Sequence, residues 1–306
     1  MASLLKSPEE FSLVVICPLE VEALAVIAQL DQDKEFGEHS IVVTSLPPGR
    51  QGHSSAAVAA QQTVAKFPRL TCVLLVGIAG GVPSDKNDIR LGDVVVSFPC
   101  GKYGGVVQYD FGKDEQQFEH NGHTNSVPQQ LLVYLRAVQI NHRRSHHNKP
   151  KYLKYLDDQI SKGLIRKPDV DTDRLFPASY AHQGGPDCTT CDETQAQRRE
   201  AREDPRIHYG LIASGNRVMK NAEMGDKPNK AHGGIVLAYE MEAAGLMNFT
   251  PCLVIRGISD YADSHKPPGD EWHAHAATAT AAYAREFIEK VPVEKFASMP
   301  NIADQS

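Results

Sequence analysis

Across 306 residues no apolar run approaches the roughly 18 residues that a bilayer-crossing helix needs, so no membrane-spanning segment is expected. The opening stretch MASLLKSPEEFSL is too short and too polar for a secretory leader. Six cysteines are too few for a dense disulfide framework at this length. Cys17, Cys72 and Cys252 sit in apolar runs and read as buried thiols. Positive charge is not in excess: the formal net charge is -6, which argues against a general hold on a nucleic-acid backbone. One basic run, His142, Arg143, Arg144, His146 and His147, reads as a solvated loop. No internal repeat is visible. These absences point to a soluble, cytoplasmic protein with neither nucleic acid nor membrane as partner.

What is present suits one α/β domain (residues 1–306) with an insertion. Hydrophobic residues make up 41% of the chain, enough for a sizeable core. Short apolar runs alternate with helical patterns. Strands are expected over Ser12 to Cys17, Ile41 to Leu46, Thr71 to Gly81, Asp93 to Phe98, Val106 to Phe111, Ile207 to Ser214, Ile235 to Tyr239 and Cys252 to Ile258. Helices are expected over Glu20 to Leu30, Ser54 to Phe67 and Trp272 to Val291. In the first of these, Leu24, Ile27 and Leu30 fall at helical spacing. Such alternation implies layers of helix around a largely parallel or mixed sheet. The stretch from about 113 to 206 differs, being rich in charge, His and Gln. It reads as an insertion, helical around Pro128 to Asn141 and Tyr152 to Lys162 and loop-like beyond.

Four motifs carry chemistry, all at carboxyl ends of expected strands, where open α/β sheets bind ligands. In VLLVGIAGGV (73–82) a strand ends in a glycine turn that lets a ligand approach the backbone near Ile78 and Gly80. In LAYEMEAAG (237–245) two carboxylates, Glu240 and Glu242, precede a small-residue helix. A carboxylate there accepts two hydrogen bonds from vicinal ribose hydroxyls, or else caps the helix. In RGISDYAD (256–263) Ser259 and Asp260 follow an apolar strand, and Asp260 fits either a turn or an acid that protonates a leaving heterocycle. In ICPLEVEA (16–23) Glu20 and Glu22 open a helix, where a glutamate can serve as general base for water.

Together and in this order the motifs resemble one family, that of purine nucleoside phosphorylase and methylthioadenosine/S-adenosylhomocysteine nucleosidase. The likeness is nearest to its fungal members, often fused to repeat domains. CPLEVEA, GIAGGVPSD with LGDVVVS, VVQYDFG, GLIASGNRVMK, EMEAAG and ISDYADSHK carry it, from about Phe11 to Val291. The resemblance implies a three-layer α/β/α fold with a mixed, curved central sheet, and a homo-oligomer of dimer size or larger. It also implies that Glu242 and Met241 hold the ribose hydroxyls and that Asp260, with Ser259 beside it, protonates the purine at N7. Glu22 matches the glutamate that activates water in the nucleosidases, with Glu20 as the fallback if the turn slips in register. Val218 and Met219 match the segment lining the base. Val218 replaces its usual aromatic, so base stacking must come from elsewhere.

The expected reaction is hydrolysis of purine ribonucleosides to base and ribose, with no cofactor. The phosphorylases resembled here place an arginine and a serine where this chain has Leu75 and Ile78, and Glu22 would repel a phosphate. Phosphorolysis stays open as the alternative. So does action on AMP or ATP, with Arg50 and His53 meeting the 5′ phosphates. A third alternative is a nucleoside-binding signalling module without activity. No metal is assigned. The CTTC run supplies Cys188 and Cys191, with His182 upstream, which makes three of the four ligands a structural zinc site wants. Free thiols or a local disulfide are the other readings.

Overall fold

The computed structural model describes residues 6–31, 35–114, 118–144, 148–220 and 222–304. His146 and His147 of the basic run, and the first five residues, lie outside them. In chain order the elements are β1 (Leu13–Cys17), α1 (Glu20–Ala28), β2 (Glu35–Phe36), β3 (His39–Ser45), α2 (His53–Lys66), β4 (Cys72–Gly81), β5 (Val94–Ser97), β6 (Val106–Gln108), β7 (Gly112–Asp114) and β8 (Phe118–His120). There follow α3 (Gln129–Arg144), α4 (Lys151–Ser161), β9 (Ile207–Ser214), α5 (Ala222–Ala231), β10 (Val236–Glu240), α6 (Ala243–Met247), β11 (Cys252–Tyr261), α7 (Glu271–Lys290) and α8 (Val293–Ala297).

The sheet is mixed and runs β10-β9-β5-β11-β4-β1-β3-β2, with β6 paired to β9. β1, β3, β4 and β11 are parallel to one another. β5, β9, β10 and β6 run parallel among themselves and antiparallel to that group, since β5 meets β11 antiparallel. The sheet then closes on itself: β10 also pairs antiparallel with the end of β4, Tyr239 opposite Gly80 and Ala238 opposite Gly81. Closure through β4, β11, β5, β9 and β10 covers the sheet edge at β10, leaves the one at β2, and curls one end of the sheet.

β1, β4 and β11 are continuous apolar runs because they are buried on both faces: Val14, Leu74, Leu75, Val254 and Ile255 have no exposed surface. Each such side chain contributes about 1.5–3 kcal/mol on burial. The Ala-rich α7 lies on β11, β4 and β5, and α1, α3 and α4 pack against it. The small side chains permit a close approach: a Cβ on Gly257 would stand 2.2 Å from the Ala276 carbonyl oxygen. α2 and α6 pack together on another part of the sheet. The helices of the 113–206 stretch share the main core through Leu131, Leu135, Leu153 and Leu156. From 163 to 206 the stretch holds only short 3-10 turns.

Several expectations need correction. The glycine segment is no turn but the end of β4: the strand continues through Gly81 because β11 and β10 bond it on either side. β11 likewise runs on to Tyr261, with a register shift between Ile258 and Asp260. β6 ends at Gln108, short of Phe111. His142, Arg143 and Arg144 do not form a loop but end α3, where cations suit the helix dipole, and His142 pairs with Glu286 at 3.0 Å. α1 forms as expected but buries a different face: Leu24 and Ile27 are 57% and 51% exposed, while Glu22, Ala25 and Val26 turn inward.

Candidate active site

A cavity of about 460 Å3 opens where the closed end of the sheet meets the turn after β1. Its assembly follows from strand register. Gly80 faces Asp260 on one side and Tyr239 on the other, so the end of β11 and the end of β10 meet across one glycine. The register shift after Ile258 re-aims the strand, as a bulge does, so Ile258 stays in the core while Asp260 reaches the cavity.

Glu22 is 2% exposed and lines this cavity. Its Oε2 accepts the Leu19 N–H at 2.6 Å, and its Oε1 accepts the Ile78 N–H at 2.7 Å. Burial pushes its carboxyl up to about 7, against the pull of Arg256 and of the two backbone donors. Glu20 is exposed, so the register places Glu22, not the fallback, at the site. Asp260 is raised above the ordinary carboxylate range, again by burial. Ser259 Oγ donates to its Oδ2 at 2.8 Å. Glu242 and Asp263 line the same cavity and are likewise raised by burial, so it is ringed by carboxyls that hold protons more tightly than in water.

Glu240 and Glu242 do converge, but on different tasks. Glu240 is spent inside the protein: it accepts the N–H groups of Glu242 and Ala243 at 3.0 Å, caps the turn into α6, and pairs with Arg256. It also lines the cavity, with these internal bonds taking up much of its hydrogen-bonding capacity. Glu242 accepts the Gly52 N–H at 3.1 Å and Arg256 Nη2 at 3.0 Å, leaving further lone pairs for a ligand. Met241, Ile78, Gly80 and Ser259 line the cavity with it. Met219 also lines it, while Val218 is 58% exposed at the rim. Among the described lining residues the aromatic rings are Tyr239 and Tyr261, with His182, His265 and His273 adding imidazoles.

Arg256 is the residue the sequence reading passed over. It is 1% exposed and reaches Glu22, Glu240 and Glu242 together. Burial works against its charge, and the three carboxylates outweigh that. The signal was available: an arginine inside CLVIRGIS is anomalous in a buried strand and must be paired there. A Cβ on Gly77 would fall 2.2 Å from Arg256 Nη1 and 2.5 Å from Glu22 Oε1, so only glycine leaves room for this cluster against β4.

Arg50 and His53 are not brought to the cavity. Arg50 lies exposed on its turn. His53 starts α2, buried, with Nε2 on Ser214 Oγ at 2.9 Å and Nδ1 near Asn216 Nδ2 at 3.1 Å, so both nitrogens are engaged within the protein. Leu75 is a core residue with no exposed surface.

Comparison with known proteins places this architecture. A protein from Hyaloscypha variabilis described as nucleotide-binding leucine-rich repeat (NLR)-like is 38% identical over 305 residues, covering 91% of this chain. The chain spans 29% of that relative's length. Among solved structures, the methylthioadenosine/S-adenosylhomocysteine nucleosidase of Neisseria meningitidis, in complex with methylthio-immucillin-A, superposes with a TM-score of 0.56 at 18% identity, covering 92% of this chain and 99% of that one. Futalosine hydrolase of Helicobacter pylori gives 0.55 at 14% identity, over 92% of this chain and 99% of that one. A uridine phosphorylase of the oomycete Phytophthora capsici gives 0.57 at 13%, over 94% and 93%. These likenesses show a shared fold. The model of the phosphorylase superfamily matches residues 12–289, and the chain belongs to that superfamily.

Proposed function

We propose that this chain hydrolyses the N-glycosidic bond of purine ribonucleosides (adenosine, inosine, guanosine), releasing base and ribose. Glu242, with Met241, holds the ribose hydroxyls. Asp260 donates a proton to the purine as the bond from C1′ to nitrogen breaks, and Glu22 takes a proton from the water that bonds to C1′. The transition state gathers positive charge on the sugar and negative charge in the base, so an acid at the base and carboxylates near the ribose both lower the barrier.

The observation that carries the choice of water is the seat of Glu22. Its carboxylate takes up the backbone N–H groups of Leu19 and Ile78 and sets a negative charge in the cavity, which disfavours a phosphate anion beside it. Arg256, the buried cation beside it, already faces three carboxylates. Product chromatography with and without phosphate tests the reading. Free ribose is expected in phosphate-free buffer. Cleavage of inosine only when phosphate is present, with ribose 1-phosphate as product, makes the chain a phosphorylase instead.

The relative described as NLR-like favours a second reading, in which the domain recognises nucleosides within a larger protein. The two separate on turnover: a pure recognition module binds nucleoside and releases no base.

A further inference from the structure

On the rim of the cavity stands a group that the proposed reaction does not use. His182 Nδ1 lies 3.2 Å from Cys191 Sγ and 3.7 Å from Cys188 Sγ. All three ligand atoms fall within 4.8 Å of one another. Tetrahedral zinc with its usual Zn–S and Zn–N bonds sets a sulfur-to-nitrogen edge of about 3.6 Å, so the two distances bracket that edge. Both cysteines are buried and both are free thiols.

The histidine presents the correct nitrogen. Its Nε2 lies 3.3 Å from the Gly185 carbonyl oxygen, which can only accept. Nε2 therefore carries the proton, and Nδ1 turns a lone pair toward the sulfurs. A backbone carbonyl on the far nitrogen is how metal-binding imidazoles are commonly oriented. The cysteines are equally well placed by local structure. Asp187 accepts the Thr189 N–H at 3.0 Å and starts the 3-10 turn Cys188–Thr190, which brings Cys191 back over Cys188. The Cys188 N–H donates to the Lys266 carbonyl at 2.9 Å, tying this turn to the segment after β11.

His265 comes from that segment. It is 5% exposed, its ring stacks on Phe176 at 4.5 Å, and it stands 5.7 Å from the His182 ring. Neither of its ring nitrogens has a hydrogen-bond partner, although Nδ1 lies 3.6 Å from Asp263 Oδ2. A buried imidazole left so costs free energy unless something else uses its lone pair. We propose that His182, Cys188 and Cys191 bind a zinc ion, with His265, which stands outside that close-set group of three, swinging in as the fourth ligand to make a two-sulfur, two-nitrogen set. The ion would fasten the 182–191 loop to the 263–266 segment, both of which line the cavity. A disulfide between the cysteines is the competing chemistry. It accounts for the sulfurs but leaves both imidazoles without a role.

Zinc binding is measurable without substrate and so stands apart from the reaction proposed above. The full chain is reduced, loaded with zinc and gel-filtered, and its metal is counted by mass spectrometry. About one zinc per chain is expected, falling below about a fifth in the Cys188→Ser/Cys191→Ser variant. Cobalt loading of the wild-type chain should give thiolate-to-cobalt charge-transfer absorption, a signature that does not depend on any variant folding. His265→Ala should weaken zinc retention against a chelator at least tenfold, the scale of a lost ligand or stronger. Substoichiometric zinc together with silent cobalt spectra overturns the proposal, as does a Cys188–Cys191 disulfide that forms in the presence of zinc. Unchanged zinc retention in His265→Ala overturns the fourth ligand.

Discussion

Arg256 donates from Nη2 to Glu242 Oε2 at 3.0 Å, from within the same strand that carries Asp260 four residues later. One strand thus holds Glu242 by its cation and brings Asp260 to the cavity by its end. Glu22 and Glu240 share that cation. The site is a buried charge cluster in which a net excess of negative charge surrounds one guanidinium. Such clusters are held by mutual pairing and collapse when one member is lost.

Arg256→Met should therefore lower stability by about 3–5 kcal/mol at neutral pH, the cost of leaving buried carboxylates unpaired. Glu22 and Glu242 already sit above their ordinary pKa in the folded chain, through burial. Without Arg256 they rise further. Groups raised on folding favour the folded state at pH below their unfolded values, and that benefit is lost as pH climbs through the folded ones. The variant should thus recover part of its deficit at pH 5. Denaturant titration at pH 5 and pH 8 measures it; a deficit under about 1 kcal/mol at both, or one that grows at pH 5, contradicts the pairing.

Glu22, with its carboxyl near 7, gives the pH profile a predicted shape. A general base works ionised, so the rate should climb as pH rises through about 7. Glu22→Gln should remove that limb and lose roughly a hundredfold or more in kcat. The same shift has a sign in stability. Relative to Glu22→Gln, the wild-type chain should be less stable at pH 8 than at pH 5 by up to about 3 kcal/mol, because ionising Glu22 in the fold is what becomes costly. A flat wild-type rate profile between pH 6 and 8, measured on kcat, is incompatible with this role.

Much of this site was legible beforehand. Glu22, Glu242, Met241, Ser259 and Asp260 all line one cavity, because motifs at strand ends are brought together by any sheet that orders those strands as neighbours. What could not be read was the closure of β10 onto β4, since a pairing between strands so far apart in the chain leaves no local pattern. For the same reason the GIAGG segment looked like a turn when it is a strand flanked on both sides. The burial of Glu22 also reversed the expected face of α1, where periodicity alone favoured Leu24 and Ile27. His53 and Arg50 looked suitable for phosphate by residue type, but His53 is used up by Ser214 and Asn216, contacts that depend on β9.

Asp260→Asn keeps shape and hydrogen bonding but removes the proton to be donated. Turnover of nucleosides should fall roughly a hundredfold to ten-thousandfold, the range for a lost general acid. Affinity for unreacted nucleoside, measured by calorimetry, should be retained, because the introduced amide is isosteric with the carboxyl and Ser259 remains beside it. Substrates whose base leaves easily without protonation should be spared most of the loss. Unchanged turnover would remove Asp260 from the chemistry; a wild-type chain that binds nucleoside and releases no base would leave the recognition reading in its place.

Gly77→Ala tests the geometry of the cluster without touching a charge. The added Cβ would stand 2.2 Å from Arg256 Nη1 and 2.9 Å from Glu22 Cδ, distances at which something must move. β11 pairs with β4 at this residue and β1 pairs with it as far as Leu75, so the strand cannot yield easily and the side chains must. Overpacking of this kind costs about 1–3 kcal/mol. Displacing Glu22 from the Ile78 N–H should also reduce kcat at least tenfold, since a misplacement of about 1 Å near reacting atoms is that costly. The acid limb of the rate profile should shift in the same variant, because Glu22 loses a backbone donor that pulls its pKa down, moving its ionisation to higher pH. A variant with wild-type melting, wild-type kcat and an unmoved limb would mean that Gly77, Arg256 and Glu22 are not packed against one another.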